Sequence, residues 1–159
     1  MKGRAKVGLV LAFAVIAFLG ALAYVRLAPS DPADWHVDLA APGFDPEKGQ
    51  LFCATAENRY GPLPDAGEAL ARLDGIAMAT PRTQRLAGSA GEGRITWITR
   101  TRLMGYPDYT TAQVMPDGGL CLFGRQRFGD GDFGVTAARI GAWAQELLGL
   151  NEVPPMTGP

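Results

Sequence analysis

Four arginines occupy alternating positions in two apolar stretches, Arg100 and Arg102 in RITWITRTRLM and Arg125 and Arg127 in LCLFGRQRF. Residues two apart in a β-strand share a face, so the spacing predicts two guanidinium groups per strand on one side of a sheet. Guanidinium forks bind phosphate and carboxylate oxygens bidentately. With Ile98, Tyr109, Met115 and Phe123 expected on the same face, the arginines suit an anionic amphiphile or lipid, the apolar side chains covering its tail. The plainer reading is a solvated sheet face on which arginines pair with acids across strands.

The carboxylates offer less. Asp108 and Asp132 are the pair a hydrolase or transferase acting on envelope material would use, but paired carboxylates work as acid and base only where their environments separate their pKa values. Asp130 and Asp132 hint at calcium, yet the twelfth position counted from Asp130 is Gly141, where an EF-hand loop needs Glu. No G-x-S-x-G, H-E-x-x-H, P-loop or C-x-x-C motif occurs, and His36 is the only histidine. The expectation is therefore non-catalytic binding or scaffolding, with no metal and no cofactor. Cys53 and Cys121 can form a disulfide in an oxidising compartment; alternatively, Cys121 is a small buried hydrophobe.

Val7 to Val25, VGLVLAFAVIAFLGALAYV, carries no charge, and 19 residues at about 1.5 Å each span roughly the thickness of a bilayer core. Lys2, Arg4 and Lys6 precede this run and only Arg26 follows closely. The positive-inside rule then predicts a single-pass inner-membrane protein with its N-terminus in the cytoplasm and its domain in the periplasm. Ala21-Leu22-Ala23 also fits a signal-peptide cleavage site, which would release a periplasmic or secreted domain. Without Lys2, Arg4, Lys6 and Arg26, 11 of the 15 basic residues face 16 acidic ones. That balance argues against a nucleic-acid partner.

Residues 1–26 thus read as the anchor or signal, and 27–58, rich in Pro and Asp, as an extended tether. Within it Trp35 to Leu39 alternates and suits a short edge strand. Residues 59–150 read as an α+β domain, and 151–159 as a disordered tail. A first helix begins at an Asp65 cap with Glu68 completing a capping box, and Ala66, Ala69, Leu70, Leu73 and Ala77 share one face. Three or four antiparallel strands follow, separated by GEG, GYPD and PDGG. Ile95, Trp97 and Leu103 are expected toward the helices. A three-residue loop at PDGG would pair Val114 with Leu120 and Ala112 with Leu122 and is preferred to a two-residue Asp117-Gly118 loop pairing Val114 with Cys121, whose hydrophobic faces match less well; a bulge at Gly124 would instead turn Arg125 and Arg127 over. The last helix is expected to be capped by Thr136, to carry Ile140, Trp143, Ala144, Leu147 and Leu148 on one stripe, and to stop at Gly149. Both helices are predicted to cover one face of the sheet.

The segment RFGDGDFGVTAARI, residues 127–140, resembles the C-terminal signature of the domain-of-unknown-function family 1499, a strand leading into G-x-x-D-x-G-x-N-x-x-R-I. Arg127, Gly129, Asp132, Gly134, Arg139 and Ile140 match that pattern, Thr136 stands where the family has Asn, and Tyr106-Pro107-Asp108 is similar to its aromatic-Pro-Asp step. The resemblance spans about residues 59–148. It implies an envelope context and structural roles for Asp108, Gly129, Asp132, Gly134, Thr136 and Arg139. The family's Cys-Pro-Ser-rich opening motif has no counterpart around Cys53, and its two strand serines are replaced by Gly124 and Gln126.

Overall fold

The computed structural model describes residues 2–128, 134–152 and 154–156, with side chains from residue 6 onward. The first element, α1, runs Lys2–Leu27. Its Lys6–Leu27 portion is long and apolar enough to cross a membrane, as an anchor or an export signal, and its most apolar stretch is packed against nothing. Only Val25 and Ala28, at its C-terminal end, are buried. A single helical turn, α2, follows at Pro32–Trp35, opened by the Asp31 carboxylate accepting from the Ala33 N–H. The chain then passes through a 3-10 turn, Pro46–Lys48, into β1, Gln50–Ala54.

The remaining elements are α3 (Ala66–Ala79), β2 (Thr83–Ser89), β3 (Arg94–Arg100), β4 (Pro107–Val114), β5 (Leu120–Gln126) and α4 (Val135–Leu148). The five strands form one antiparallel sheet in the order β1-β5-β4-β3-β2. The sequence predicts three or four; the additional strand, β1, comes from the stretch expected to be a tether, where five residues are too few for alternation to stand out.

Helical period and strand alternation agree on the main core. Ala66, Ala69, Leu70, Leu73 and Ala77 are the buried residues of α3, and the Asp65 carboxylate accepts from the Glu68 N–H at its start. Ile140, Trp143, Ala144 and Leu147 of α4 join them against Phe52, Ala54, Ile95, Trp97, Ala112, Leu120 and Leu122 of the sheet. Indole N–H groups need partners when buried: Trp97 donates to Asp74 at 2.9 Å and Trp143 to Thr80 at 2.8 Å. The β4–β5 hairpin has the predicted register, Val114 opposite Leu120 and Ala112 opposite Leu122, closed by the Met115 N–H donating to Gly119.

Four expectations need correction. Leu103 is 80% exposed rather than under the helices, because β3 ends at Arg100 and the Thr101 N–H and hydroxyl bind back to Tyr106, closing a turn. Gly124 carries no bulge; it pairs in register with Thr110 and Gln50. Its missing side chain serves packing, since a Cβ there would lie 2.4 Å from Thr136 Cγ2 and 2.7 Å from Ile140 Cδ1. Thr136 is not the cap of α4. Gly134 occupies that position at φ 80°, and Thr136 is buried in the first turn. In the tail, Pro154 is buried and Met156 packs on the core, apolar residues finding cover that composition did not reveal.

The fifth difference is the largest. Residues 29–44 do not hang free between helix and domain; they lie across the sheet face opposite α3 and α4. Trp35 to Leu39 forms no strand. Instead Leu39, with Val37 and Phe44, packs on Cys121, Phe123, Leu51, Cys53 and Met115. The face they cover is apolar enough to require it. Beneath this strap Cys53 and Cys121, opposite one another on β1 and β5, are joined in a disulfide with Cα atoms 4.1 Å apart.

Two stability outcomes are expected in unfolding titrations of the detergent-solubilised protein. Replacing both cysteines by Ala opens a loop closed over a 68-residue separation, a loss of about 4 kcal/mol on the chain-entropy account. Gly124→Ala overpacks the β5–α4 contact and lowers stability by about 1–3 kcal/mol.

Candidate functional site

The strap divides the four predicted arginines into two groups. Tyr109 and Arg125 are cross-strand partners on β4 and β5 and therefore share a face. Trp35 lies over both: its ring stacks on Tyr109 at 3.8 Å and 12°, and the Arg125 guanidinium sits 4.5 Å from it. Arg125 also donates to the Asp34 carbonyl, Arg127 donates to the Pro29 carbonyl at 2.6 Å, and the Tyr109 hydroxyl shares a hydrogen bond with Ser30 at 2.6 Å. Burial lowers the Arg125 pKa below the ordinary arginine value, with Asp34 and Tyr109 acting in the opposite direction. These three side chains hold the strap.

Arg100 and Arg102 lie elsewhere, joined by two arginines that the strand spacing does not mark. Arg100 ends β3 and donates to Gly105 at 3.0 Å. Arg102 projects from the exposed β3–β4 turn. Arg82, at φ 63°, donates from Nε to the Arg100 carbonyl at 3.0 Å, while the Arg82 carbonyl accepts from the Arg100 N–H. Arg26, in the last turn of α1, donates to the carbonyls of Leu103 at 2.8 Å and Met104 at 3.4 Å. The four line an open groove of about 440 Å³ with Thr83, Gln84, Thr101 and Gly105. Gly105, at φ 75°, lies close under the Arg26 stem; an added Cβ would meet it at 3.0 Å. Among the described residues none of the four arginines forms an ion pair. Such a concave, cationic surface offers donors to an oxyanion, and no acid is among the described residues that line it.

Asp108 has a different role. It is buried on β4 and forms an ion pair with Arg139 of α4 at 3.4 Å, and Arg139 also donates to the Thr136 hydroxyl at 3.3 Å. This polar link ties sheet to helix. Gly129, Asp130 and Asp132 lie outside the described residues. Among those described, no three His, Cys, Asp or Glu side chains are placed to hold a metal ion.

A chain of polar contacts locks the middle of the strap. Arg94 Nε donates to His36 Nε2 at 3.1 Å, which assigns the proton of the neutral ring to Nδ1, 2.8 Å from the Thr96 hydroxyl. Thr96 and Thr111 share a hydrogen bond at 2.7 Å. Alongside, Asp38 accepts from Gln113 at 2.7 Å and pairs with Arg94 at 3.5 Å, while the Leu39 N–H donates to Gln113.

The chain matches no protein-family model, no curated protein and no solved structure. Its own geometry therefore carries the functional argument.

Burial first, then Arg94, hold the His36 pKa below the ordinary 6.5, with Glu92 pulling the other way. A histidine with a depressed folded-state pKa contributes stability that is present above its unfolded value and lost as pH falls below it. The Asp38 pKa is also lowered, by Gln113, the Ala40 N–H and Arg94, so its contribution is lost only below the ordinary carboxylate range. Hydrogen exchange of residues 29–44 is expected to accelerate as pH falls below about 6.5 after correction for the intrinsic rate. His36→Gln should flatten that dependence.

Proposed function

We propose that this protein is a membrane-anchored, non-catalytic binding domain of the cell envelope that holds the phosphate or other anionic headgroup of an amphiphile in the Arg26, Arg82, Arg100 and Arg102 groove. The observation that carries the reading is the placement around one groove, beside the last turn of an apolar helix, of four arginines that form no ion pair among the described residues. In this reading α1 is retained in the inner membrane, with Lys2, Arg4 and Lys6 on the cytoplasmic side and the domain in the periplasm. The disulfide fits an oxidising compartment. The resemblance of residues 127–140 to the domain-of-unknown-function family 1499 agrees with an envelope setting and adds no reaction. A hydrolase or transferase has weaker support, because Asp108, its candidate acid or base, is ion-paired with Arg139.

Each arginine near an anionic lipid surface is worth about 1 kcal/mol. Arg26 braces the turn, so the test leaves it in place. Changing Arg82, Arg100 and Arg102 together to Ser removes about 3 kcal/mol, roughly a hundredfold in affinity. The measurement is titration of the solubilised full chain with short-chain phosphatidylglycerol, phosphatidylcholine, inorganic phosphate and pyrophosphate. Wild type should prefer phosphatidylglycerol, and the triple variant should lose that preference. Binding of the inorganic anions alone would indicate a free oxyanion as the source of the chemistry. Equal phosphatidylglycerol binding by wild type and variant would overturn the proposal, and a mature chain beginning at Tyr24 would overturn retention of the anchor.

A further inference from the structure

We infer that the β3–β4 turn is a second membrane contact, seating Leu103 at the boundary between headgroups and acyl chains beside the end of α1. This rests on retention of α1 in the bilayer; it shares Arg26 with the arginine groove but does not depend on anion binding there. Leu103, at 80% exposed, is the most exposed large hydrophobic side chain of the described residues beyond α1. It stands where three things coincide. The Arg26 hydrogen bonds to Leu103 and Met104 fix the turn to the last turn of α1. Leu27 and Tyr24, on that same turn of helix, are 79% and 63% exposed. An aromatic group surrounds the junction: Tyr24 meets Phe128 at 6.1 Å, and Phe128 meets Tyr106, at the far side of the β3–β4 turn, at 5.8 Å.

The depth follows from length. The uncharged run Val7 to Val25 spans roughly the hydrocarbon core, which leaves Tyr24 to Leu27 at its outer boundary. A turn hydrogen-bonded to Arg26 lies at that same level. Tyrosine favours such boundaries because its ring is apolar and its hydroxyl polar; arginine extends its apolar stem there with the guanidinium outward. A leucine exposed at this height buries its side chain in lipid while its backbone carbonyl keeps its bond to Arg26. The opposite end of the sheet is polar and distant. The β4–β5 hairpin tip, with Asp117 exposed, lies one length of β4 away, roughly 25 Å at about 3.3 Å per residue.

The test uses the full chain in phosphatidylcholine vesicles, whose zwitterionic surface separates this contact from recognition of anionic headgroups. The native cysteines are bonded to each other, so a nitroxide label attaches only to an introduced thiol. Leu103→Cys, Asp117→Cys and, within α1, Ala14→Cys are compared by collision of the label with oxygen and with an aqueous nickel chelate. The expected oxygen-to-nickel ratio is highest at position 14, intermediate at 103 and lowest at 117, with 103 at least threefold above 117. A lipid-exposed label at 14 with equal ratios at 103 and 117 overturns the turn contact and leaves the anchor standing. An aqueous label at 14 overturns both. In a chain labelled at Met104→Cys, adding Leu103→Asp should move the label toward water; an unchanged ratio there also counts against the contact.

Discussion

The stacking of Trp35 on Tyr109, with Arg125 alongside, is the interaction on which the rest of the arrangement depends. It follows from a sheet register. Tyr109 and Arg125 face each other across β4 and β5, so a flat aromatic surface and a flat cation are presented side by side, and an indole is the side chain that covers both. Once Trp35 is seated, the chain on either side has little freedom. Toward the N-terminus, Ser30 and Pro29 are held by Tyr109 and Arg127; toward the C-terminus, His36, Asp38 and Leu39 meet Thr96, Arg94 and Gln113. The strap is therefore a third layer, and its docking brings the end of α1 against the β3–β4 turn.

That arrangement explains why arginines similar in spacing have different uses. Arg125 and Arg127 each donate to a strap carbonyl, which presents no negative charge, and lie against aromatic rings. Arg100 and Arg102, beyond the reach of the strap, remain available beside Arg26 and Arg82. The division is set by where residues 29–44 run out of sheet to cover.

Much of the helix-side architecture was legible in the sequence because its signals are local. The five buried residues of α3 follow a 3.6-residue period, Asp65 stands where a cap is needed, and the Pro-Asp-Gly-Gly turn selects one register for β4 and β5. The strap left no such signal. Trp35 to Leu39 alternates as a strand would, but its hydrogen-bond partners are 58 to 76 residues away in sequence, and nothing in a Pro-rich stretch indicates which surface it will meet. The groove was half legible for a similar reason. Alternation marks Arg100 and Arg102, whereas Arg82 is placed by an uncommon positive φ and Arg26 by the end of a helix read only as an anchor or signal. Thr136 is a sound cap by type, yet the position went to Gly134, whose positive φ brings the chain into α4.

The disulfide has a mechanical meaning. The strap leads from α1 into β1, and β1 is an edge strand, the kind of element that a pull along the chain would strip from a sheet one hydrogen bond at a time. Cys53 lies within that strand and is fixed covalently to Cys121 of β5, which is held on its other side by β4. Tension applied through α1 can thus lift residues 29–44 from their face, yet at Cys53 it is transferred to an inner strand. The domain is built so that the layer nearest α1 yields first, while β1 stays fixed to the sheet from Cys53 onward.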